Sequence, residues 1–461
     1  MIFEDKTRNR WIKIKILFLM GLLTLLTSIL TYALNLYEII ELPLINALNM
    51  YIFNVMEKML ISYLFLTIVI GFIRMIILYI FCFRQHRRNK IIRAHRKINK
   101  NFLKVYRPSV TVIIPVYNEE VVISRTIKAI LMSDYPITEI LIIDDGSTDQ
   151  TAAIVSKEFS KNRTVKLIKK RNGGKSAALN YGLKRASGDI IITIDADTVF
   201  KKSTIPYLVE HFSDPRVAAI SGNCKIGNIG KQLTLWQHIE YVTANNIEKR
   251  AFEELNCITV VPGSNSAWRK SVMKDLGYYH NDTLAEDSEL TLRILNAGYK
   301  IIYEDRAISY EECPETVKGF IKQRDRWSYG ILQVAWKHKK NILTSSNKTL
   351  KYFAIPSLLF SYLLFLTSPL IDIIFIVSLL SGTTSIYLFV LLFYLTDFLN
   401  SFIAFKIGKE NMRPLIWVFI QRLAYRYLLA YVTWRALLLA LRGNSVGWNK
   451  LNRSGNNKFT L

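Results

Sequence analysis

The chain has 461 residues, a formal net charge of +25 and 51% hydrophobic residues. Nucleic-acid binding would account for the charge but not for the apolar content, whereas a membrane protein accounts for both, because Lys and Arg collect on its cytoplasmic side. Cys82, Cys224, Cys257 and Cys313 are scattered with no CxxC, and the histidines show no HxxxH pair, which argues against a zinc site or a disulfide framework.

The first predicted element is an apolar run over residues 14–36, long enough to cross a bilayer at about 20 residues. It lacks a small-x-small cleavage site and a second span follows over 59–83, so it reads as an anchor rather than a signal peptide. Arg74 lies inside the second span and needs a partner there. Lys6, Arg8, Arg10, Lys13 and Lys15 precede the first span. The loop near 37–58 carries Glu38, Glu41 and Glu57 against Lys58. Residues 84–107 hold ten Lys or Arg and no acid. This asymmetry places the N-terminus and everything after 84 in the cytoplasm. The basic run itself reads as a stop-transfer flank touching anionic lipid.

Residues 108 to about 345 have the composition of a soluble domain. Apolar runs ending in turn residues alternate with helical patterns, as in an α/β parallel sheet. "SVTVIIPVYNE" runs from strand to loop, and "EEVVISRTIKAILMSDYP" is an amphipathic helix stopped near Pro136. "EILIIDDGSTD" with "TAAIVSKEFS", then "TVKLIKKRNGGKSAALNYGLKRAS", give two more strand–helix pairs, and "GDIIITIDAD" a further strand. "KQRDRWSYGILQVAW" suits an interfacial amphipathic helix near 315–340. Three apolar segments follow at 353–380, 385–405 and 414–440. In the last, Arg422 and Arg426 share a helical face that should point at protein or water.

Ligands of open α/β sheets bind beyond the carboxyl ends of strands. Acidic residues fall at three such ends: Glu119, then Asp144 and Asp145, then Asp195 and Asp197. One acidic strand end is often a helix cap, and Asp149 reads as that. Three ends meeting in one crevice point to a ligand. In "IDAD" the two carboxylates share one face of the extended chain and repel unless a cation lies between them. A hard divalent ion carrying a diphosphate meets that need. "NGGKSAALN" resembles the end of a P-loop, but the required glycine is replaced by Lys169, which excludes that ATPase motif. A lysine opening a helix after a glycine turn still suits phosphate.

"PVYNEE", "DDGSTD", "GGKSAALN", "DAD", "LAEDSELTLRILNAGY" and "QRDRW", in that order, resemble the processive, membrane-embedded family 2 glycosyltransferases, the cellulose, chitin, hyaluronan and poly-N-acetylglucosamine synthases. The resemblance covers about residues 108–335 and the membrane layout around them. It implies a GT-A, Rossmann-like cytoplasmic catalytic domain inserted between transmembrane helices. The expected division is two transmembrane helices in 1–83, the catalytic domain in 84–345, and a C-terminal membrane region with a basic cytoplasmic tail in 346–461. It also implies a UDP-sugar donor, UDP-N-acetylglucosamine above all, with Mg²⁺ or Mn²⁺.

Residue by residue, the resemblance gives Tyr117, Glu119 and Asp145 to the nucleoside and Lys175 to the diphosphate. Asp195 and Asp197 become the DxD pair, the second being the metal ligand. Glu286 and Asp287 stand where the family has T-E-D, with Asp287 as base and Ala285 in place of the threonine. Gln323, Arg326 and Trp327 match Q-x-x-R-W, the mark of processive members, and Gly263 and Ser264 lie near the acceptor. A base distinct from the metal ligands is also what an inverting transfer requires. Trp327 offers a ring face to a sugar, and Arg326 a charge to the leaving group.

The expected activity is processive, inverting synthesis of a β-linked polysaccharide and its export across the plasma membrane, most like poly-β-1,6-N-acetylglucosamine synthases. Hyaluronan or chitin-type synthesis, a single-addition lipid glycosyltransferase and a catalytically silent scaffold are the alternatives, in that order. Expected partners are the UDP-sugar, the growing polysaccharide, the bilayer and a small membrane accessory subunit, with no nucleic acid. One tension remains. The tail carries Arg442, Lys450, Arg453 and Lys458 and no acid, so it should be cytoplasmic, yet three full spans after a cytoplasmic domain would put it outside. Either one segment is re-entrant or 353–380 breaks near Pro369.

Overall fold

A computed structural model describes residues 43–98, 106–381, 385–442 and 455–457. The span expected at 14–36, its basic flank, and Lys450, Arg453 and Lys458 of the tail lie outside the described residues. The chain divides into two compact units, residues 1–76 with 441–444, and residues 77–440 with 445–461. The second unit contains everything that positions the cleft.

Helix Pro43–Ile98 carries the expected second span and runs on without a break through part of the basic stretch. Phe65–Ala94 within it and Leu350–Pro369 are long and apolar enough to cross a membrane. Arg413–Arg422 and Ala424–Arg442 make a third candidate, bent by 52° at a short break. Pro369 lies inside helix Ile355–Ser381 rather than ending it. Arg422 pairs with Asp397, and Arg426 donates to the Ser368 carbonyl at 3.2 Å, so both arginines face neighbouring helices as their shared face required. The reading of residues 84–107 as a lipid-facing flank needs correction at two positions. Arg88 pairs with Glu253 and Glu254, and Arg93 with Glu304 and Asp305, so these cations are engaged by carboxylates of the second unit.

The second unit is built on an eight-stranded sheet of order β3-β2-β1-β4-β7-β6-β8-β5. The strands are β1 (Val110–Val116), β2 (Glu139–Asp144), β3 (Val165–Lys169), β4 (Ile190–Thr193), β5 (Val199–Phe200), β6 (Val217–Ile226), β7 (Ser266–Arg269) and β8 (Lys300–Glu311). Strands β1 to β4 pair in parallel, as expected. Strands β6 and β8 also pair in parallel, so the expected parallel sheet fails only at two short strands. The four-residue β7 runs antiparallel between β4 and β6, and the two-residue β5 runs antiparallel to β8. Strands so short carry no readable alternation, so these two left no pattern in the sequence.

The apolar runs of β1, β2 and β4 follow from burial on both faces. Val112, Ile114, Ile140, Ile142 and Ile192 pack under helices Ile123–Leu131 and Thr151–Phe159, while Ile113, Ile143 and Ile191 pack under helices Lys175–Leu183 and Glu286–Asn296. Gly182 lets helix Lys175–Leu183 lie directly on β1, since a Cβ there would stand 2.9 Å from Ile113 Cγ2.

Candidate active site

Strand β1 lies between β2 and β4, so the chain leaves the sheet in opposite directions on its two sides and opens a crevice at the carboxyl ends. The loop after β1 carries Tyr117 and Glu119. Asn118 there adopts φ +55°, and its side-chain oxygen accepts from the N–H groups of Thr148 (2.7 Å) and Asp149 (3.3 Å), locking the first two loops together. Asp149 accepts from the Thr151 N–H at 2.9 Å, but it stands one residue before Gln150, the N-cap of helix Thr151–Phe159, so the capping role anticipated for it is displaced by one position. Asp145 anchors the glycine turn, accepting from the N–H groups of Gly173 (3.0 Å) and Gly174 (2.7 Å) and pairing with Lys170. Gly174 sits at φ +86°, a conformation that glycine takes without strain, and helix Lys175–Leu183 begins immediately after it.

The turn after β4 holds Asp195 and Asp197. Thr126 donates to the Ala196 carbonyl at 2.6 Å and pins this turn to helix Ile123–Leu131. Lys175 Nζ lies 2.6 Å from Asp195 and 3.5 Å from Glu286, so the lysine bridges the acidic turn and the start of helix Glu286–Asn296. Burial opposes its charge, but the Asp195 and Glu286 carboxylates more than compensate and hold its pKa above the usual lysine range. Gly263 makes room for this ammonium, since a Cβ there would stand 2.9 Å from Nζ.

Asp287 occupies the first turn of helix Glu286–Asn296. It accepts from the Ser288 N–H at 2.8 Å and the Gly263 N–H at 3.3 Å. Burial and then the neighbouring Glu286 charge push its carboxyl up to about 6, against the lowering effect of Lys175 and the two N–H groups. Helix Val317–Lys337 begins at Thr316, whose hydroxyl caps the Gly319 N–H at 3.2 Å. It approaches Asp287 closely because Gly330 has no side chain: a Cβ there would stand 2.9 Å from that of Ala285. The alanine found in place of a threonine is thus part of a tight helix contact.

The residues assigned to the site from the sequence line one cleft of about 680 Å³: Tyr117, Glu119, Asp145, Lys175, Asp195 and Asp197 with Glu286, Asp287, Gln323, Arg326 and Trp327, and also Gly263 and Ser264; Asp144, the other acidic strand end, stays out of it, buried and accepting from the Ser147 N–H at 2.8 Å. The cleft further contains Glu240, Tyr241, Lys249, Glu311, Glu312 and Arg324, which the sequence reading did not reach. Glu311 ends β8, so the strand-end rule applied to one more strand would have found it. Lys249 follows a π-helical turn at Ala244–Glu248, where no motif points to it.

The cleft is crowded with carboxylates around the acidic turn. Burial and the charge of Asp197 raise the pKa of Glu311, in spite of hydrogen bonds from Tyr241 and Ser264, and Asp195 adds to the effect. This excess of negative charge, with Asp197 buried on the cleft wall, suits a divalent cation with hard oxygen donors. Among the described residues, the one group of three His, Cys, Asp or Glu side chains compact enough to close on a metal is Glu210, His211 and Glu304. None of the three lines the cleft, and Arg306 already pairs with both glutamates. The acidic turn therefore offers two carboxylates and leaves further positions to a ligand's own oxygens, as Mg²⁺ with a diphosphate requires.

Residues 111–277 match the family described as Glycosyl transferase family 2. The chain is 38% identical over 216 residues to a poly-beta-1,6-N-acetyl-D-glucosamine synthase of Staphylococcus epidermidis, a match covering 46% of this chain and 52% of that protein. It is 34% identical over 303 residues to "Probable glycosyltransferase YdaM" of Bacillus subtilis, covering 62% of this chain and 72% of that one. The chain thus spans about half the length of the synthase it matches. Among solved structures, a mannosyltransferase from Pyrobaculum calidifontis, in complex with GDP-Man and Mn²⁺, superposes at a TM-score of 0.48 with 20% identity, covering 78% of this chain and 98% of that one.

Proposed function

The chain belongs to glycosyl transferase family 2, with a GT-A-like α/β fold and a mixed sheet, and on that premise we propose that it is a processive, inverting polysaccharide synthase. It takes UDP-N-acetylglucosamine, extends a β-linked chain and passes the product through its own multi-pass membrane region, with the catalytic unit in the cytoplasm. The observation that carries the reading is the convergence, in one cleft, of the nucleotide-end residues Tyr117, Glu119 and Asp145, the Asp195–Asp197 turn, Asp287, and the Gln323–Arg326–Trp327 face of a single helix. The relatives named poly-beta-1,6-N-acetyl-D-glucosamine synthase support the choice of sugar.

In this reading Tyr117, Glu119 and Asp145 hold the nucleoside. Asp197, with Asp195, would hold a divalent cation, Mg²⁺ or Mn²⁺, which when bound neutralises charge on the departing diphosphate. Lys175 keeps Asp195 and Glu286 in place and adds positive charge on the same side. Asp287, oriented by the N–H groups of Ser288 and Gly263, takes the proton of the acceptor hydroxyl. That oxygen bonds to the anomeric carbon while the bond to the diphosphate breaks, and UDP leaves with the electron pair. A carboxyl near pH 6 is a better base than an ordinary aspartate and remains ionised at neutral pH. Gln323 and Trp327 hold the acceptor sugar, the ring gripping by its face without fixing the register, so the chain can advance after each addition. Arg326 faces the leaving group.

The test is direct. The full chain, purified in lipid nanodiscs with Mg²⁺ or Mn²⁺, is given UDP-N-acetylglucosamine, UDP-glucose and UDP-glucuronate separately, and UDP release and product length are followed. Long polymer from the N-acetylglucosamine donor alone is expected. A single sugar added to lipid overturns processivity, and polymer needing two donors points to hyaluronan-type synthesis.

A further inference from the structure

Helix Val317–Lys337 turns Gln323, Arg326 and Trp327 to the cleft, and the two residues between the first two, Arg324 and Asp325, are buried and paired. Arg324 makes a two-pronged ion pair with Glu240, at 2.7 Å to Oε1 and 2.6 Å to Oε2. The same guanidinium donates to the Tyr425 hydroxyl at 3.2 Å, and that hydroxyl donates to Glu240. The guanidinium also lies 4.6 Å from the centroid of the Trp327 ring and 5.0 Å from that of Phe320, whose own ring is 5.2 Å from Tyr425. Tyr425 belongs to helix Val418–Arg442. The next residue, Asp325, pairs with Arg435 of that same helix at 3.0 Å. One turn of the cleft helix is therefore gripped twice by one apolar helix, at points ten residues and about 15 Å apart along it.

We infer that Arg324 is a positioning residue: braced by Glu240 and Tyr425, it fixes the ring of Trp327, so that the last apolar helix sets the acceptor end of the cleft. The inference rests on the acceptor role proposed for Trp327. An anchor that only held two helices together would need no contact with the cleft, yet Arg324 and Glu240 line it and the guanidinium lies against the very ring assigned to the sugar. The chemistry suits the task. A planar guanidinium can present two N–H groups to one carboxylate while its face lies on an aromatic ring, and a lysine cannot do both. Burial works against the charge, but the Glu240 carboxylate outweighs it and keeps Arg324 ionised. The pair thus has directional, charge-assisted bonds that respond to small shifts of Tyr425. Movement of the helix beside which product would pass then reaches the ring that holds its last sugar.

The experiment uses the full chain in nanodiscs with 5-fluorotryptophan incorporated, the Trp327 resonance being assigned by its loss in Trp327→Phe. Tyr425→Phe removes one hydroxyl and keeps the ring; Arg324→Lys keeps the charge and loses the fork. In both, the Trp327 resonance is expected to shift or split. UDP binding with Mn²⁺ should stay within about twofold of wild type, while product length and turnover per folded molecule fall about tenfold, the scale of one charge-assisted bond. A Trp327 resonance unmoved in Tyr425→Phe overturns the inference, as does a moved resonance with unchanged product length. Should Arg324→Lys fail to fold, Tyr425→Phe decides alone. If the wild-type chain releases UDP without making polymer, the synthase reading fails, and the Trp327 resonance still decides whether the apolar helix positions the ring.

Discussion

Removing the cation of Lys175 should move the pH dependence of transfer, because that ammonium is the positive charge that restrains Asp287. Asp287 must be ionised to accept a proton, and burial with the neighbouring Glu286 pushes its carboxyl up to about 6. The sign follows: below that pH the base is protonated and kcat/KM falls, about tenfold per pH unit, and above it the activity is flat. At pH 7 about nine-tenths of the base is ionised. In Lys175→Met the carboxylates of Asp195 and Glu286 lose a partner at 2.6 Å and 3.5 Å, and Asp287 keeps its repulsion from Glu286 with only the Ser288 and Gly263 N–H groups left to oppose it. A nearby opposite charge is worth about 1 to 3 pK units, so the acid limb should rise by about one unit. Lys175→Arg, which keeps the charge, should leave the limb near its original pH while lowering the rate through poorer fit beside Gly263. The assay is UDP release at subsaturating donor and saturating metal across the pH range, normalised to folded protein. A Lys175→Met limb at the wild-type pH, or below it, refutes Asp287 as the titrating base.

Two further changes probe the turn and the sheet. Asp197→Ala removes a buried carboxylate from the cleft wall, and UDP affinity with Mn²⁺ should fall by about tenfold to a hundredfold; titration calorimetry giving equal wild-type affinities with metal and with chelator would remove the metal from the reading. Gly222→Ala would place a methyl on the Asn265 side chain, whose amide donates at 2.9 Å to both the Ala307 carbonyl and the Ser309 hydroxyl inside the sheet. Overpacking and the loss of buried hydrogen bonds should destabilise the fold by about 3 kcal/mol, visible in thermal unfolding, and an unchanged midpoint would mean that the sheet yields there without cost.

The half of the cleft proposed for the nucleotide was legible because its strands are apolar runs that end abruptly in acids. Val110–Val116, Glu139–Asp144 and Ile190–Thr193 each lead into a carboxylate that a core would not tolerate. The acceptor half was legible only in the motifs on helices Glu286–Asn296 and Val317–Lys337. Strand β8 hides its nature, since Glu304, Asp305 and Arg306 interrupt the apolar pattern, and Glu304 is nevertheless buried beneath Arg306, Arg93 and His211. Periodicity reads such a segment as exposed, because compensation by partners distant in sequence leaves no local trace. The same holds for residues 84–107. Their charge was plain, but the choice of Glu253, Glu254, Glu304 and Asp305 as partners for Arg88 and Arg93 belongs to tertiary structure.

The tension over the tail also takes a physical form. Asn457 is buried against the catalytic unit, its N–H donating to Glu312 at 3.2 Å, its side-chain amide to the Tyr310 carbonyl at 3.1 Å, and its carbonyl accepting from Arg125. A segment so bonded lies on the same side of any membrane as the unit that holds it. On the proposed membrane reading, the chain between that unit and Asn457 would cross an even number of times, although the sequence offers three apolar segments between them. On that reading, the 52° bend between Arg413–Arg422 and Ala424–Arg442 is where a crossing is most readily given up. Here Arg422 and Arg426 turn to neighbouring helices, Gln421 donates to the Trp236 carbonyl at 2.9 Å, and Tyr425 bonds to Glu240. Polar groups in such number are costly in lipid and well placed against a catalytic unit. A segment held in this way is suited to follow the cleft helix rather than the bilayer, which is what steering Trp327 from outside the cleft would require.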